Sequence, residues 1–348
     1  YPMPQQKGLR FSVTLPKETV TFPRQAIDLA DGSYFIWPVN LDLDGTRLRY
    51  ATAQPLARLD QGKAGITYVF AASHGIPVEF AFDANAKVVS SSGHQAQADG
   101  YTVVDAITPG TSAAITVAQA RPVTIVVLTE EQARHLTIGH LAGQRRMVLS
   151  AQQTWFSDAG LELRADGNAA FRFAVFPALA TAPKVAGNLK TTTDGVFQSF
   201  DISLPARAIT ATVTPVREAR ATRPIQIGGL ANAATQPAPE AFGAAAAWRI
   251  AIPDHAGEAL INLDFVGDIG RLYAGTRLLD DWYYSGYGWQ YALKHAGSAP
   301  LTLSVLPLRA DAPIYLPKDA RPDFAGKAQL AVLRGVHVTP VYRLSVQP

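Results

Sequence analysis

Apolar and polar residues alternate with a period of two in short runs along nearly the whole chain, each run cut off by Gly, Pro, Asp or Asn. Leu9-Arg10-Phe11-Ser12-Val13-Thr14-Leu15 is one such run. A period of two puts one face of an extended segment in a core and the other in solvent, so the chain is expected to be built from half-buried strands. Leu41-Asp42-Leu43 and Thr46-Arg47-Leu48-Arg49-Tyr50 flank Asp44-Gly45. That dipeptide tolerates the positive φ angles of a tight turn, so the stretch reads as a hairpin. Ala113–Val117 and Val123–Leu128 add β-branched runs. Arg146–Ser150, Leu161–Leu163, Phe171–Phe176 and Ala259–Phe265 read as further strands. Asp166-Gly167 reads as a turn and Ala274-Gly275-Thr276-Arg277 as a hairpin tip. One short helix is expected after Thr129, which stands three residues before Gln132 at capping-box spacing. Glu130 and Glu131 sit in its first turn, where the helix dipole favours negative charge, and Thr137-Ile138-Gly139 is expected to end it.

At 348 residues the chain is too long for one simple core. The pattern divides it into a β-sandwich domain over 1–128 and a second β domain, or a continuation carrying the helix, over 129–216. An Ala/Pro/Gly-rich linker over 217–247 and a jelly-roll domain over 248–348 complete the division. The expected class is all-β, with no catalytic barrel. A net charge of +3, with Arg145-Arg146 the only adjacent basic pair, gives no basic patch, so no nucleic-acid partner is expected. No run of 18 apolar residues occurs, so no membrane span is expected. There is no cysteine for a thiolate nucleophile or a Cys-ligated metal.

Asn40–Gly45 superficially matches the start of a calcium loop, but the twelfth position, which must supply a bidentate Glu, is Ala51. The seven histidines are scattered without metal-ligand spacing, and no cofactor is expected. Retaining glycoside cleavage needs two carboxyl groups roughly 5–5.5 Å apart. Glu130 and Glu131 are helix neighbours that point different ways, and Glu218 and Glu240 lie in the linker. Glu79, in Gly75-Ile76-Pro77-Val78-Glu79-Phe80, has a strand context and reads as structural. No catalytic residue is assigned. No Gly-x-Ser-x-Gly elbow and no phosphate loop occur.

The segment 282–291 holds six aromatics in ten residues, interleaved with Gly and Ser. Aromatic faces stack on sugar C–H faces, and neighbouring carboxylates accept bonds from sugar hydroxyls. Asp281, Trp282, Tyr284, Tyr287 and Trp289 are therefore candidate carbohydrate contacts, against the alternative that the rings fill a sandwich core. Tyr34 and Trp37 read as packing residues.

Gly32-Ser33-Tyr34-Phe35-Ile36-Trp37-Pro38-Val39-Asn40-Leu41-Asp42-Leu43, followed by Arg49-Tyr50-Ala51-Thr52-Ala53-Gln54-Pro55-Leu56, closely resembles the region after the catalytic barrel in bacterial β-galactosidases of glycoside hydrolase family 35. Phe265-Val266-Gly267-Asp268-Ile269-Gly270-Arg271-Leu272-Tyr273 and Asp280-Asp281-Trp282-Tyr283-Tyr284 are similar to the jelly roll near the end of the same enzymes. The resemblance implies a retaining exo-β-galactosidase whose two catalytic glutamates lie on a barrel that would precede Tyr1. Neither maps onto this chain, which is then expected to be inactive alone. The implied partners are that barrel, in the same polypeptide or docked, and β-galactoside glycans. The family's members are often exported, which implies an extracellular or periplasmic location. Three functions follow in order: an accessory half that supports the barrel and its active-site rim, a free-standing carbohydrate-binding module using 282–291, and a scaffold without glycan affinity. The first requires an apolar surface facing the partner.

Overall fold

A computed structural model describes residues 3–229 and 233–348 and shows an all-β protein with sheets in sandwich arrangement. The chain divides into two compact units. Unit 1 comprises Tyr1–Leu163, Ala170–Leu204 and Leu344–Pro348; unit 2 comprises Arg164–Ala169 and Pro205–Arg343. Residues on both sides of position 128 thus belong to unit 1.

Unit 1 begins with the long hairpin Gln6–Leu15 and Glu18–Leu29. Two five-stranded sheets follow. Sheet 1 has the order Val39–Leu43, Thr46–Ala51, Val78–Asp83, Tyr101–Ile107, His94–Ala98. Sheet 2 has the order Ala53–Asp60, Ile66–Ala72, Val123–Leu128, Ala114–Val117, Val88–Ser91, with a parallel pair at Ile66–Ala72 and Val123–Leu128. Their inner faces share a core of Leu48, Phe70, Phe80, Phe82, Ile115 and Ile125, all fully buried. The turn between the first two strands of sheet 1 has positive φ at Asp44 and Gly45, which the Asp-Gly pair accommodates. Gly45 N donates to Asp42 Oδ1, so this acidic stretch closes a hairpin.

The helix is Glu130–Arg134. Thr129 Oγ1 accepts from Gln132 N at 3.1 Å and Gln132 Oε1 accepts from Thr129 N at 3.0 Å, the reciprocal bonds of a capping box. It ends earlier than the sequence implied, because Leu136–Leu141 is already a strand paired with Gln144–Leu149. Gly139 is a strand residue, and a Cβ there would stand 2.3 Å from the Phe156 ring. Sheet 3 continues through Ala170–Phe176, Phe197–Ser203 and Asn188–Asp194. Its Met147, Leu149, Ala174 and Phe197 pack on Leu59, Val69, Val126 and Leu128 from the other face of sheet 2. Sheet 2 is therefore apolar on both faces, which is why its central strands read as near-continuous hydrophobic runs.

Unit 2 is a jelly roll. Thr212–Arg217, Ala246–Ala251, Leu301–Val305, Ile269–Ala274 and Arg277–Tyr283 form one sheet in that order. Ala259–Val266 pairs with Trp289–Ala292 on one side and with the long strand Val332–Val346 on the other. Successive strands Ala246–Ala251 and Ala259–Val266 thus pair with Leu301–Val305 and Trp289–Ala292 in reverse order, the rolled double hairpin of this architecture. The Ala/Pro/Gly-rich segment carries a two-residue ladder, Ile227–Gly228 with Ala233–Ala234, and the turn Pro239–Ala244. Arg217 holds it by donating to Ala245 O and Phe242 O, and Phe242 is buried beneath the Arg271 guanidinium at 3.7 Å.

Candidate functional site

The aromatic segment splits between core and surface. Trp289 lies opposite Leu263 in the strand ladder and is fully buried; its Nε1 donates to Asp280 Oδ2 at 3.0 Å. Phe265 meets it edge-on at 6.3 Å and meets Tyr284 at 6.1 Å. Gly270 makes room for this packing, since a Cβ there would stand 2.9 Å from Phe265 Cζ and 3.2 Å from the Trp289 ring. Tyr284 is buried as well, and its hydroxyl donates to Ala320 O at 3.0 Å. Neither Tyr284 nor Trp289 offers a ring face to a ligand; their polar atoms are satisfied internally, as buried Tyr and Trp require.

Asp281, Trp282 and Tyr287 stand outside that core. Trp282 is 38% exposed, on the edge strand Arg277–Tyr283, and Tyr287 is 72% exposed on the following loop. Asp280 is committed internally, through Trp289 Nε1 and through Asp281 N, which donates to its Oδ1 at 3.0 Å. The Asp281 carboxylate lies 4.0 Å from Arg271 Nε and keeps lone pairs toward solvent. What remains is a half-exposed indole, an exposed phenol and a carboxylate, chemistry that suits stacking and hydroxyl binding at an open surface.

The second site lies in unit 1, where the chain between Glu18–Leu29 and Val39–Leu43 runs without a ladder. Phe35 and Trp37 turn inward and stack at 3.8 Å; Phe11 meets Trp37 edge-on at 5.7 Å. Trp37 Nε1 donates to Ser73 Oγ at 3.1 Å and Ile36 N donates to Gln54 Oε1 at 3.3 Å. The alternate residues point outward: Tyr34 is 90% exposed and Ile36 71%. Tyr34 and Leu56, itself partly exposed, rim a cleft of about 550 Å³ whose polar wall includes His74, Glu130 and Arg134. Trp37 is thus a packing residue, while Tyr34 is presented to solvent. The four consecutive residues Tyr34-Phe35-Ile36-Trp37 are all apolar or aromatic, so the sequence carries no signal for which of them face outward.

Glu79 is buried. Its Oε1 accepts from Tyr50 Oη at 2.8 Å and from Arg24 N at 3.0 Å. Burial and the neighbouring carboxylate push the Tyr50 hydroxyl far above its usual range, so it stays a donor. Among the described residues no group of three or more His, Asp or Glu side chains is placed to hold a metal ion. No helix among them is long and apolar enough to cross a membrane. No family model and no curated protein matches this sequence.

Proposed function

We propose that this chain is the non-catalytic β-rich part of a retaining exo-β-galactosidase, and that it supports a catalytic barrel through the surface around Tyr34, Ile36 and Leu56. The observation that carries the reading is the orientation of the 34–37 segment: two apolar tips held in solvent above a stacked, hydrogen-bonded base. A large apolar side chain costs least when exposed only until a partner covers it, and a fixed pedestal reduces the ordering cost of association. Glu79, the one glutamate with a site-like sequence context, is consumed by Tyr50 and Arg24 and takes a structural role.

The test is hydrolysis of a chromogenic β-galactoside by this chain alone and after addition of a family 35 barrel polypeptide. Activity restored by the mixture, and reduced when Tyr34→Ala/Ile36→Ser replaces the native chain, is the expected result. Turnover by the chain alone would defeat the accessory reading. A second reading, a glycan-binding surface, draws on the exposure of Trp282 and Tyr287 beside Asp281. It predicts that galactose or lactose changes the Trp emission of the native chain, and that Trp282→Phe abolishes the change.

A further inference from the structure

One buried aspartate in unit 2 makes no side-chain hydrogen bond or ion pair with the described residues. Asp268 stands at the two-residue corner between Ala259–Val266 and Ile269–Ala274 and is only 8% exposed. Its backbone is fixed on both sides: N donates to Leu306 O at 2.7 Å, and O accepts from Tyr284 N at 3.0 Å. The corner is tight, because a Cβ at Gly267 would stand 2.2 Å from Val305 Cγ1. No described residue donates a hydrogen bond to the carboxylate or pairs with it. Burial alone raises its pKa to about 6. Buried carboxylates are ordinarily paired, since an isolated buried charge is costly.

Asp268 lines a cavity of about 630 Å³, within the roughly 300–1,000 Å³ range of small-molecule sites. Leu306, Pro307, Pro224, Ile225 and Pro237 contribute apolar lining to it. Gln226 and Gln236 line the cavity with amide side chains that make no hydrogen bond to the described chain. Three further charged residues line it. Arg309 is spent on Asp311, at 2.7 Å through both Nε and Nη2, and on Thr222 O. Arg223 and Glu240, both exposed, are of opposite sign and make no ion pair with described residues. Among the charged residues that line the cavity, Asp268 is the one that is buried, and the exposed Gln226 and Gln236 line the same cavity.

We propose that this cavity binds a small ligand carrying a protonated primary amine on a hydroxylated body, the chemistry of an amino sugar, with the amine seated on the Asp268 carboxylate. An ammonium supplies the donors and the opposite charge that the protein does not, while hydroxyls meet Gln226 and Gln236. The site is independent of barrel docking, so the two readings fail separately: one is read by binding to this chain alone, the other by reconstituted hydrolysis.

The experiment is calorimetric titration of the native chain with galactosamine and, in parallel, with galactose. Galactosamine is expected to bind at about pH 7.5 and to weaken at about pH 4.5, where Asp268 is protonated. Asp268→Asn, which keeps the shape of the side chain, should weaken galactosamine roughly tenfold to hundredfold, the range for a lost charge-assisted bond. Glu240→Gln, at the rim, should change it far less. Thermal unfolding of each variant confirms that it is folded. Equal binding of galactose and galactosamine, unchanged binding by Asp268→Asn, or no heat from either sugar would each overturn the proposal.

Discussion

Replacing Tyr50 by Phe tests the structural role of Glu79 directly. The ring is fully buried, stacked on Phe22 at 4.9 Å and set edge-on to Tyr101 at 6.3 Å, and Phe preserves all of that packing. What is lost is the 2.8 Å bond to Glu79 Oε1, leaving Arg24 N at 3.0 Å as that oxygen's remaining donor. A hydrogen bond to a charged group contributes about 1.5–3 kcal/mol, and removing one donor from a buried acceptor sits in that range. The expected loss is about 2 kcal/mol. In urea, with a slope of about 2–3 kcal/mol/M, this lowers the midpoint of the unit 1 transition by roughly 0.7–1 M. Because a two-unit protein need not unfold in one step, the transition should be followed through protected amides of Thr46–Ala51 and Val78–Asp83 by hydrogen exchange as well as by urea. Glu79→Gln is the internal control: its amide oxygen can still accept from both donors, so its loss should be smaller than that of Tyr50→Phe. A Tyr50→Phe loss below about 0.5 kcal/mol would refute the reasoning, because it would mean that Glu79 finds water as readily as it finds Tyr50.

Four further outcomes follow from the same structure. Asp268 has its pKa raised to about 6 by burial, so its ionisation opposes folding: stability falls as pH rises from about 4 to about 6. Asp268→Asn should therefore be more stable than the native chain by about 1–2 kcal/mol above pH 7 and close to it at pH 4, read by thermal unfolding at both pH values; this allows for partial solvent screening of the shift. Asp44 behaves oppositely, because hydrogen bonds from Arg58 and Tyr68 hold its pKa at about 2. Its contribution is present above about pH 4 and lost as pH falls toward 2, so Asp44→Asn should flatten the acid limb of an unfolding curve between those values while changing neutral-pH stability by less than about 1 kcal/mol. Trp289→Phe removes the donor to Asp280 Oδ2 inside the unit 2 core and should cost about 1–2 kcal/mol in urea unfolding. Trp282→Phe, on the edge strand, should stay within about 0.5 kcal/mol.

Much of the fold was legible because its signals are local. Thr129 and Gln132 satisfy each other's backbone within four residues, and the Asp44-Gly45 turn takes its positive φ angles and its bond from Gly45 N to Asp42 Oδ1 from residues of the hairpin itself. Where the deciding contact is distant, the sequence pattern fell short. Gly139 looks like a helix stop, yet it is a glycine because the Phe156 ring occupies the place of its Cβ. The 217–247 segment lacks periodicity because it is fastened by hydrogen bonds from Arg217, Arg309 and Gln329 and by the buried Phe242, none of which leaves a period in the sequence. The aromatic segment shows the same limit at the site. Trp282 and Trp289 have similar neighbours in sequence and both lie on terminal strands of their sheets, but Trp289 packs into the core opposite Leu263 while Trp282 reaches solvent, so only tertiary packing distinguishes them. Asp268 was invisible for the same reason: the residues that share its cavity, Leu306 and members of 221–244, are remote in sequence.

The 34–37 segment allows docking to be separated from mere exposure. Several large apolar side chains are exposed elsewhere, Val89 and Val216 among them, but singly exposed hydrophobes are ordinary. Tyr34 and Ile36 differ in that their alternate neighbours form a base: Phe35 on Trp37, Trp37 on Phe11, and Trp37 Nε1 on Ser73. If the base serves to hold the tips in place for a partner, then weakening it should harm association without removing any contacting atom. Phe35→Ala keeps Tyr34 and Ile36 but frees the backbone that aims them. Each side chain that must then be ordered on binding costs about 0.5–1.5 kcal/mol, so two of them weaken barrel association by roughly fivefold to a hundredfold. The loss should appear in the concentration of chain needed to restore β-galactosidase activity, with the activity of the saturated complex unchanged. An unaltered concentration dependence would show that the tips need no pedestal. Their exposure would then be incidental, and the surface around Trp282 and Tyr287 would become the better-supported site of this chain's function.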